Sequence, residues 1–178
     1  MKRASAILGS AIFLVVAPGT LAVYVPWTLC QWRFSAPLFG FFPFRITGAL
    51  MIAAGLPVLL DSFARFAIRG LGTPAPVAPP QSLVVSGLYR YVRNPMYVAV
   101  CLLIFGQGLL FGSLRVLEYG LLFWLGAFAF VVLYEEPALR RKFGQEYEEY
   151  CRGVSRWIPR LHNPRTTGER RLRASRLR

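Results

Sequence analysis

The sequence predicts an all-α polytopic membrane protein with about four transmembrane helices and a C-terminal cytosolic amphipathic helix. Of the 178 residues, 55% are hydrophobic, yet the formal net charge is +13. Soluble domains rarely combine these values, whereas membrane proteins with basic cytosolic segments do. The charges are also segregated, since residues 4–32 and 94–114 contain none. About 20 apolar residues are enough to cross a bilayer.

Four apolar runs have the length of transmembrane helices. Their predicted ranges are 6–29, 46–64, 95–114 and 116–134. Pro18, Pro26 and Pro57 should kink the first two spans, because proline removes a helix hydrogen bond. The short connection at 112–115 predicts that the last two spans form an antiparallel hairpin of helices.

The first span has a competing interpretation, because Lys2-Arg3 followed by an apolar run also fits a signal peptide. The run continues too far beyond any Ala-x-Ala-like cleavage site. Its removal would also take away about a quarter of the predicted membrane body. We therefore predict that the first span is retained.

Basic residues are concentrated on one side of the predicted membrane. That side carries Lys2, Arg3, Arg65, Arg69, Arg90, Arg93, Arg140, Arg141 and Lys142, whereas the other carries Arg33, Arg45 and Arg115. The positive-inside rule therefore places both termini and the segment 65–94 in the cytosol. The expected location is the inner or plasma membrane.

The region after the fourth span should form one amphipathic helix. Pro137 suits its first turn, and Gly153 should end it. Its apolar face is formed by Leu139, Phe143, Tyr147 and Tyr150. Such a helix should lie on the membrane surface or cap the bundle.

We predict one membrane domain at 1–155, whose motif-bearing part is 83–154, and a basic tail at 156–178. The tail holds eight arginines against one glutamate. It should be disordered and attracted to anionic lipid headgroups rather than to nucleic acid. The proline-rich segment 70–81 should be an extended linker. Three cysteines without CxxC spacing and the single histidine, His162, favour neither a disulfide framework nor a metal site.

Polar residues cluster at two span ends that should share the cytosolic mouth of the bundle. Residues 93–97 (Arg-Asn-Pro-Met-Tyr) precede the third span, and Glu135-Glu136 follow the fourth. Ionisable groups at such positions indicate a site, and these could hold a small zwitterionic cofactor. Structural explanations also stay open: Asn94-Pro95 suits a helix start, and the acids suit a helix N-terminus.

The order of these motifs resembles that of a known superfamily. Residues 87–97 read Gly-Leu-Tyr-Arg-Tyr-Val-Arg-Asn-Pro-Met-Tyr, and two spans later come Glu135-Glu136, Leu139, Phe143-Gly144, Tyr147 and Tyr150. This resembles the isoprenylcysteine carboxyl methyltransferase and phospholipid methyltransferase superfamily of membrane enzymes. Its typical pattern is Gly-x-Tyr, Arg-His-Pro-x-Tyr, Glu-Glu-x-x-Leu and Phe-Gly-x-x-Tyr-x-x-Tyr. The resemblance covers residues 83–154.

The resemblance implies S-adenosylmethionine as methyl donor, no metal, and a lipophilic acceptor from the bilayer. The implied donor-binding residues are Gln81, Leu83, Val84, Tyr89, Arg93, Asn94, Pro95, Met96, Tyr97, Glu135 and Glu136. No catalytic residue is assigned, and Arg93 and Tyr97 are candidates for positioning. Arg93 would bind the donor carboxylate by a fork. Both glutamates would face a wet mouth, so their replacement should affect donor binding and not folding.

Two departures from the pattern bear on the reaction. Asn94 replaces the usual histidine, and it cannot titrate near neutral pH. Val131-Val132-Leu133 replaces a region that carries a substrate-recognising arginine in the isoprenylcysteine enzymes. The acceptor therefore stays open. The alternatives are a non-catalytic scaffold or a small transporter, although no charged residue lies at mid-membrane depth in a predicted span.

Overall fold

A computed structural model describes residues 3–69 and 83–159. Three predictions lie outside these ranges: the linker at 70–81, the position of Gln81, and the basic tail beyond Pro159. The tail begins inside the described part, because Arg156 and Trp157 are included.

The described residues form seven α-helices and no named strand, which confirms the all-α class. The helices are α1 (Arg3–Gly19), α2 (Val25–Cys30), α3 (Pro43–Arg69), α4 (Pro95–Phe111), α5 (Leu114–Phe130), α6 (Glu136–Phe143) and α7 (Gln145–Gly153). A π turn at Thr20–Tyr24 joins α1 to α2, and a second at Val131–Glu135 joins α5 to α6. A 3₁₀ turn at Gly87–Arg90 precedes α4.

The chain is an integral membrane protein. Three helical stretches in the described part are long and apolar enough to cross a bilayer, at Ala11–Cys30, Pro43–Arg65 and Leu114–Phe143. Helix α4 is equally apolar but has only 17 residues, ending before Gly112, whose φ of +70° closes it. Its position between α3 and α5 is consistent with the predicted four spans.

Helices α3 and α4 pack through glycines, so that their backbones touch. A Cβ on Gly106 of α4 would lie 2.8 Å from the carbonyl oxygen of Gly48 on α3. One on Gly48 would lie 2.5 Å from the carbonyl oxygen of Gly106. Apolar side chains from both helices continue this contact into the core, among them Leu59, Phe63 and Ile104. Small residues at such contacts are typical of helix pairs in membranes.

The first π turn leaves backbone carbonyls that other helices satisfy. Pro26 has no N–H to donate to the carbonyl of Ala22, and Gln107 of α4 donates its amide to that oxygen at 2.7 Å. The Tyr119 hydroxyl of α5 donates to the carbonyl of Leu21 at 2.9 Å. Because unsatisfied backbone groups are costly in lipid, these two bonds tie the first span to the bundle.

The prediction of a separate helix starting at Pro137 is wrong. Helix α5 continues through the second π turn into α6, and the break comes only at Gly144. Gly144 has φ +51°, which residues with a Cβ rarely adopt. Helix α7 then ends at Gly153 as predicted. Both π turns end two residues before a proline, Pro26 or Pro137, and the chain stays helical through each of them.

The glycine contact between α3 and α4 can be tested with one methyl group. We expect Gly106→Ala to destabilise the protein by about 1–3 kcal/mol, because its Cβ would overlap the backbone of α3. Gly126→Ala is the matched control, since a Cβ there meets no atom within 4 Å. Thermal unfolding in detergent measures both. Equal melting temperatures for the two variants would contradict the close packing.

Candidate functional site

The second π turn gives the two adjacent glutamates different surroundings. The Glu135 carboxylate accepts a hydrogen bond from the Tyr97 hydroxyl, with 3.0 Å between the two oxygens. Glu136 points inward instead and is only 4% exposed. One acid therefore pairs with the start of α4, and the other is buried.

Glu136 is held by two arginines. Arg156 donates Nε to Oε1 at 2.7 Å and Nη2 to Oε2 at 3.0 Å, which is a bidentate pair. Nη1 of Arg93 lies 3.2 Å from the same Oε1. The hydrogen bond that Arg156 donates to Glu136 raises the pKa of this arginine above its ordinary value. The expectation that both glutamates face a wet mouth is therefore wrong for Glu136.

Arg93 belongs to the protein frame around the site. Besides Glu136, its Nη1 donates to Sγ of Cys151 on α7 at 2.7 Å. Its Nε is buried without a hydrogen-bond partner among the described residues. Arg93 makes both contacts through Nη1, so its Nε and Nη2 could still form a fork to a donor carboxylate, and that role stays a prediction.

The segment 154–157 is anchored to the motif before α4. Val92 and Ser155 form an isolated parallel bridge, and the N–H of Arg93 donates to the carbonyl of Ser155 at 2.8 Å. The Asn94 side-chain amide donates to the carbonyl of Arg156 at 3.2 Å. Arg156, the first residue after the predicted membrane domain, therefore contacts the motif before α4, and the domain division stays a prediction. Asn94 has a structural task there, as a buried amide donor.

Trp157 completes an aromatic cluster beside the Tyr97–Glu135 pair. Its ring meets Tyr97 edge-on, with 6.5 Å between centroids, and stacks on Phe128 at 6.1 Å. Its indole N–H is buried and has no acceptor within the described ranges. Sequence reasoning missed both Arg156 and Trp157. The tryptophan itself was a signal that this part of the predicted tail is folded, because aromatic residues are scarce in disordered segments.

Tyr89 is connected to the site through α7. The Tyr150 hydroxyl donates to the carbonyl of Tyr89 at 2.7 Å. Burial raises the pKa of Tyr89 and of Tyr150 well above the ordinary value of a phenol. Both phenols therefore stay protonated at physiological pH, and that of Tyr150 donates a hydrogen bond.

The structure brings together part of the predicted site. Arg93, Asn94, Tyr97, Glu135 and Glu136 meet in one network with the segment 154–157. Pro95 is buried at the first turn of α4, and Met96 packs against the hydrophobic core. Val84 is buried and Leu83 half-buried, at the start of the segment leading to Gly87–Arg90.

These features define a helical membrane protein with a polar site at the end of its spans, and the chain belongs to the phospholipid methyltransferase family. The sequence model of that family matches residues 44–146. This confirms the superfamily to which the motifs pointed.

Individual relatives share a shorter segment. The chain is 36% identical over 78 residues to a probable protein-S-isoprenylcysteine O-methyltransferase of Oryza sativa subsp. indica, covering 43% of this chain and 40% of that protein. It is equally similar to a protein-S-isoprenylcysteine O-methyltransferase of Schizosaccharomyces pombe, covering 43% of this chain and 33% of that protein. The chain thus spans well under half the length of these relatives.

The different surroundings of the two glutamates predict different effects on stability. Glu136→Gln leaves Arg93 and Arg156 without their shared carboxylate, so we expect a loss of about 2–3 kcal/mol. This is below the 3–5 kcal/mol of a fully buried pair, because Arg156 is one-third exposed. Glu135→Gln should change the unfolding temperature little, since an amide oxygen still accepts from Tyr97. Thermal unfolding in detergent measures both variants. Equal unfolding temperatures for Glu136→Gln and Glu135→Gln would show that the ion pairs of Glu136 with Arg93 and Arg156 do not stabilise the fold.

Proposed function

We propose that this protein transfers a methyl group from S-adenosylmethionine to a lipophilic acceptor within the membrane. Its family membership and the names of its relatives support methyl transfer. The observation that carries the proposal is the Tyr97–Glu135 pair, which lies beside the Trp157 cluster at the end of two apolar helices. The donor would enter from the cytosol, and the acceptor from the bilayer.

The groups around this pair fit the donor molecule, which carries a carboxylate, an ammonium, a ribose diol and a sulfonium. Among the described residues, Glu135 is bonded only by Tyr97, so it can also accept from the ammonium or the diol. Two buried donors, the indole N–H of Trp157 and the Nε of Arg93, have no hydrogen-bond acceptor among the residues that the structure describes. Aromatic faces at Tyr97 and Trp157 suit a sulfonium by cation–π attraction.

In this proposal the chain aligns the reactants and excludes water. The donor supplies an already activated methyl group, so alignment accounts for much of the catalysis, and proximity can contribute about 7–11 kcal/mol. The Tyr97 hydroxyl would fix the orientation of the Glu135 carboxylate. The ion pairs of Glu136 with Arg93 and Arg156 would hold the segment before α4 against the segment after α7. Asn94 does not titrate near neutral pH, so a proton released by the acceptor would have to leave by another route.

The aromatic cluster also gives the acceptor a route from the bilayer. Phe128 stacks on Trp157 yet is 37% exposed on the outer surface of α5. In a membrane this face of α5 meets lipid chains. An apolar acceptor could therefore approach Tyr97 and Glu135 along Phe128. The relatives act on a prenylated cysteine according to their names, and we propose the broader class of lipophilic acceptors for this chain.

The proposed activity is tested by product detection. Purified protein with labelled S-adenosylmethionine and a total lipid extract should yield a labelled product in the lipid phase, identified by mass spectrometry. Heat-inactivated protein is the control. Donor binding without any labelled lipid, across extracts that include prenylated substrates, would contradict an enzymatic role and favour a scaffold.

Donor binding should depend on Glu135. We expect Glu135→Gln to weaken S-adenosylmethionine binding by about 1.5–3 kcal/mol, because a charged acceptor is lost. Glu149→Gln on α7 is the matched control, since Glu149 is exposed and on the same side of the proposed membrane. Calorimetry in detergent measures both affinities. Unchanged affinity in Glu135→Gln would remove this carboxylate from the donor site.

The proposed orientation places both termini and the site in the cytosol. It rests on the basic residues near Arg65, Arg90 and Arg140. Reporter fusions after Arg69 and Arg160 should then read cytosolic, whereas a fusion near Ser35 should read external. A cytosolic signal at Ser35 would contradict the four-span arrangement.

A further inference from the structure

A groove that the proposed methyl transfer does not use lies between α3 and the turn Gly87–Arg90. Its volume is about 460 Å³, within the size range of small-molecule sites. Pro57, Val58 and Leu88 supply apolar walls, and the charged groups in its lining come from Asp61, Arg65 and Arg90. The groove therefore joins apolar surface to two guanidinium groups.

The guanidinium of Arg65 is fixed in this groove from two sides. Its Nε donates to Oδ2 of Asp61, one helical turn earlier, at 2.7 Å. On the other side it packs directly against Gly87, where a Cβ would overlap it. Gly87 has φ +59°, so the turn needs glycine for its backbone as well. Such preorganisation lowers the entropy lost when a ligand binds.

The groove lies at the depth of lipid headgroups. The membrane-crossing stretch of α3 ends at Arg65, so Asp61 and Arg65 sit where the apolar stretch meets water. On the same helix Leu56 and Leu60 are about half exposed, and lipid chains would cover them. Tyr91, which is 44% exposed, supplies an aromatic group of the kind enriched at this boundary.

The charges of the groove identify the class of ligand. Two arginines and one aspartate leave a net charge of +1, which a singly charged anion would neutralise. Guanidinium groups bind phosphate oxygens through paired hydrogen bonds. We propose that this groove binds the phosphodiester of a bilayer phospholipid, with its acyl chains along α3 and its phosphate between Arg65 and Arg90. This lipid is a bound component of the protein, distinct from donor and acceptor, and it does not depend on the proposed methyl transfer.

Native mass spectrometry of the full chain in detergent tests this site. The probe is didecanoyl phosphatidylcholine, because a net-neutral headgroup is not attracted to the basic C-terminal residues. We expect Arg65→Gln and Arg90→Gln each to weaken its binding about ten-fold or more. Arg152→Gln is the control, an exposed arginine on the same side that does not line the groove. The Arg152→Gln variant should bind the phospholipid as tightly as the unchanged protein does.

Two further probes distinguish a phospholipid from a soluble phosphate compound as the ligand. Didecanoylglycerol has the same chains without phosphate and should bind at least ten-fold more weakly. Glycerophosphate should not displace the phospholipid at matched concentration, and displacement would indicate a soluble phosphate ligand and overturn the proposal. Equal phospholipid binding by the unchanged protein and Arg90→Gln would also overturn it. Arg90 is exposed, so this variant remains informative if Arg65→Gln does not fold.

Discussion

The buried carboxylate of Glu136 is the contact on which the rest of the site depends. A buried charge is costly unless it is paired and hydrogen-bonded, and here Arg156 takes both of its oxygens while Arg93 adds a second positive charge. The two arginines come from segments that are distant in the chain. Their shared partner fixes the segment before α4 against the segment after α7. Trp157 is thereby set against Tyr97, and the Tyr97–Glu135 pair acquires its aromatic cover.

Two identical neighbouring side chains take different tasks at the end of the second π turn, because successive helix residues point about 100° apart. Extra residues in a helix rotate the side chains that follow, and π turns often occur at functional sites for that reason. Here the turn ends at Glu135, so that this carboxylate meets Tyr97 while the next one enters the protein. Framework and proposed donor contact are thus separate. The charge at Glu135 can serve a ligand without loss of the contacts that hold the fold.

The membrane imposes a second constraint, because lipid supplies neither hydrogen bonds nor a hydrophobic drive between helices. The helices therefore pack by close backbone contact at Gly48 and Gly106. Gln107 and Tyr119 supply hydrogen bonds to the carbonyls of the first π turn. These contacts connect α3 to α4, and both α4 and α5 to the first π turn.

The sequence by itself determined the helical membrane class, the approximate spans and the family motifs, because hydropathy and motif order are local properties of the chain. It also indicated that residues 93–97 and the two glutamates meet. Only the tertiary structure decided that Glu136 is buried, that Asn94 holds a backbone carbonyl, and that Arg156 and Trp157 belong to the site. Those outcomes depend on which distant groups share a buried space. No local pattern reports that, since an arginine has the same appearance in a solvated tail and in a buried ion pair.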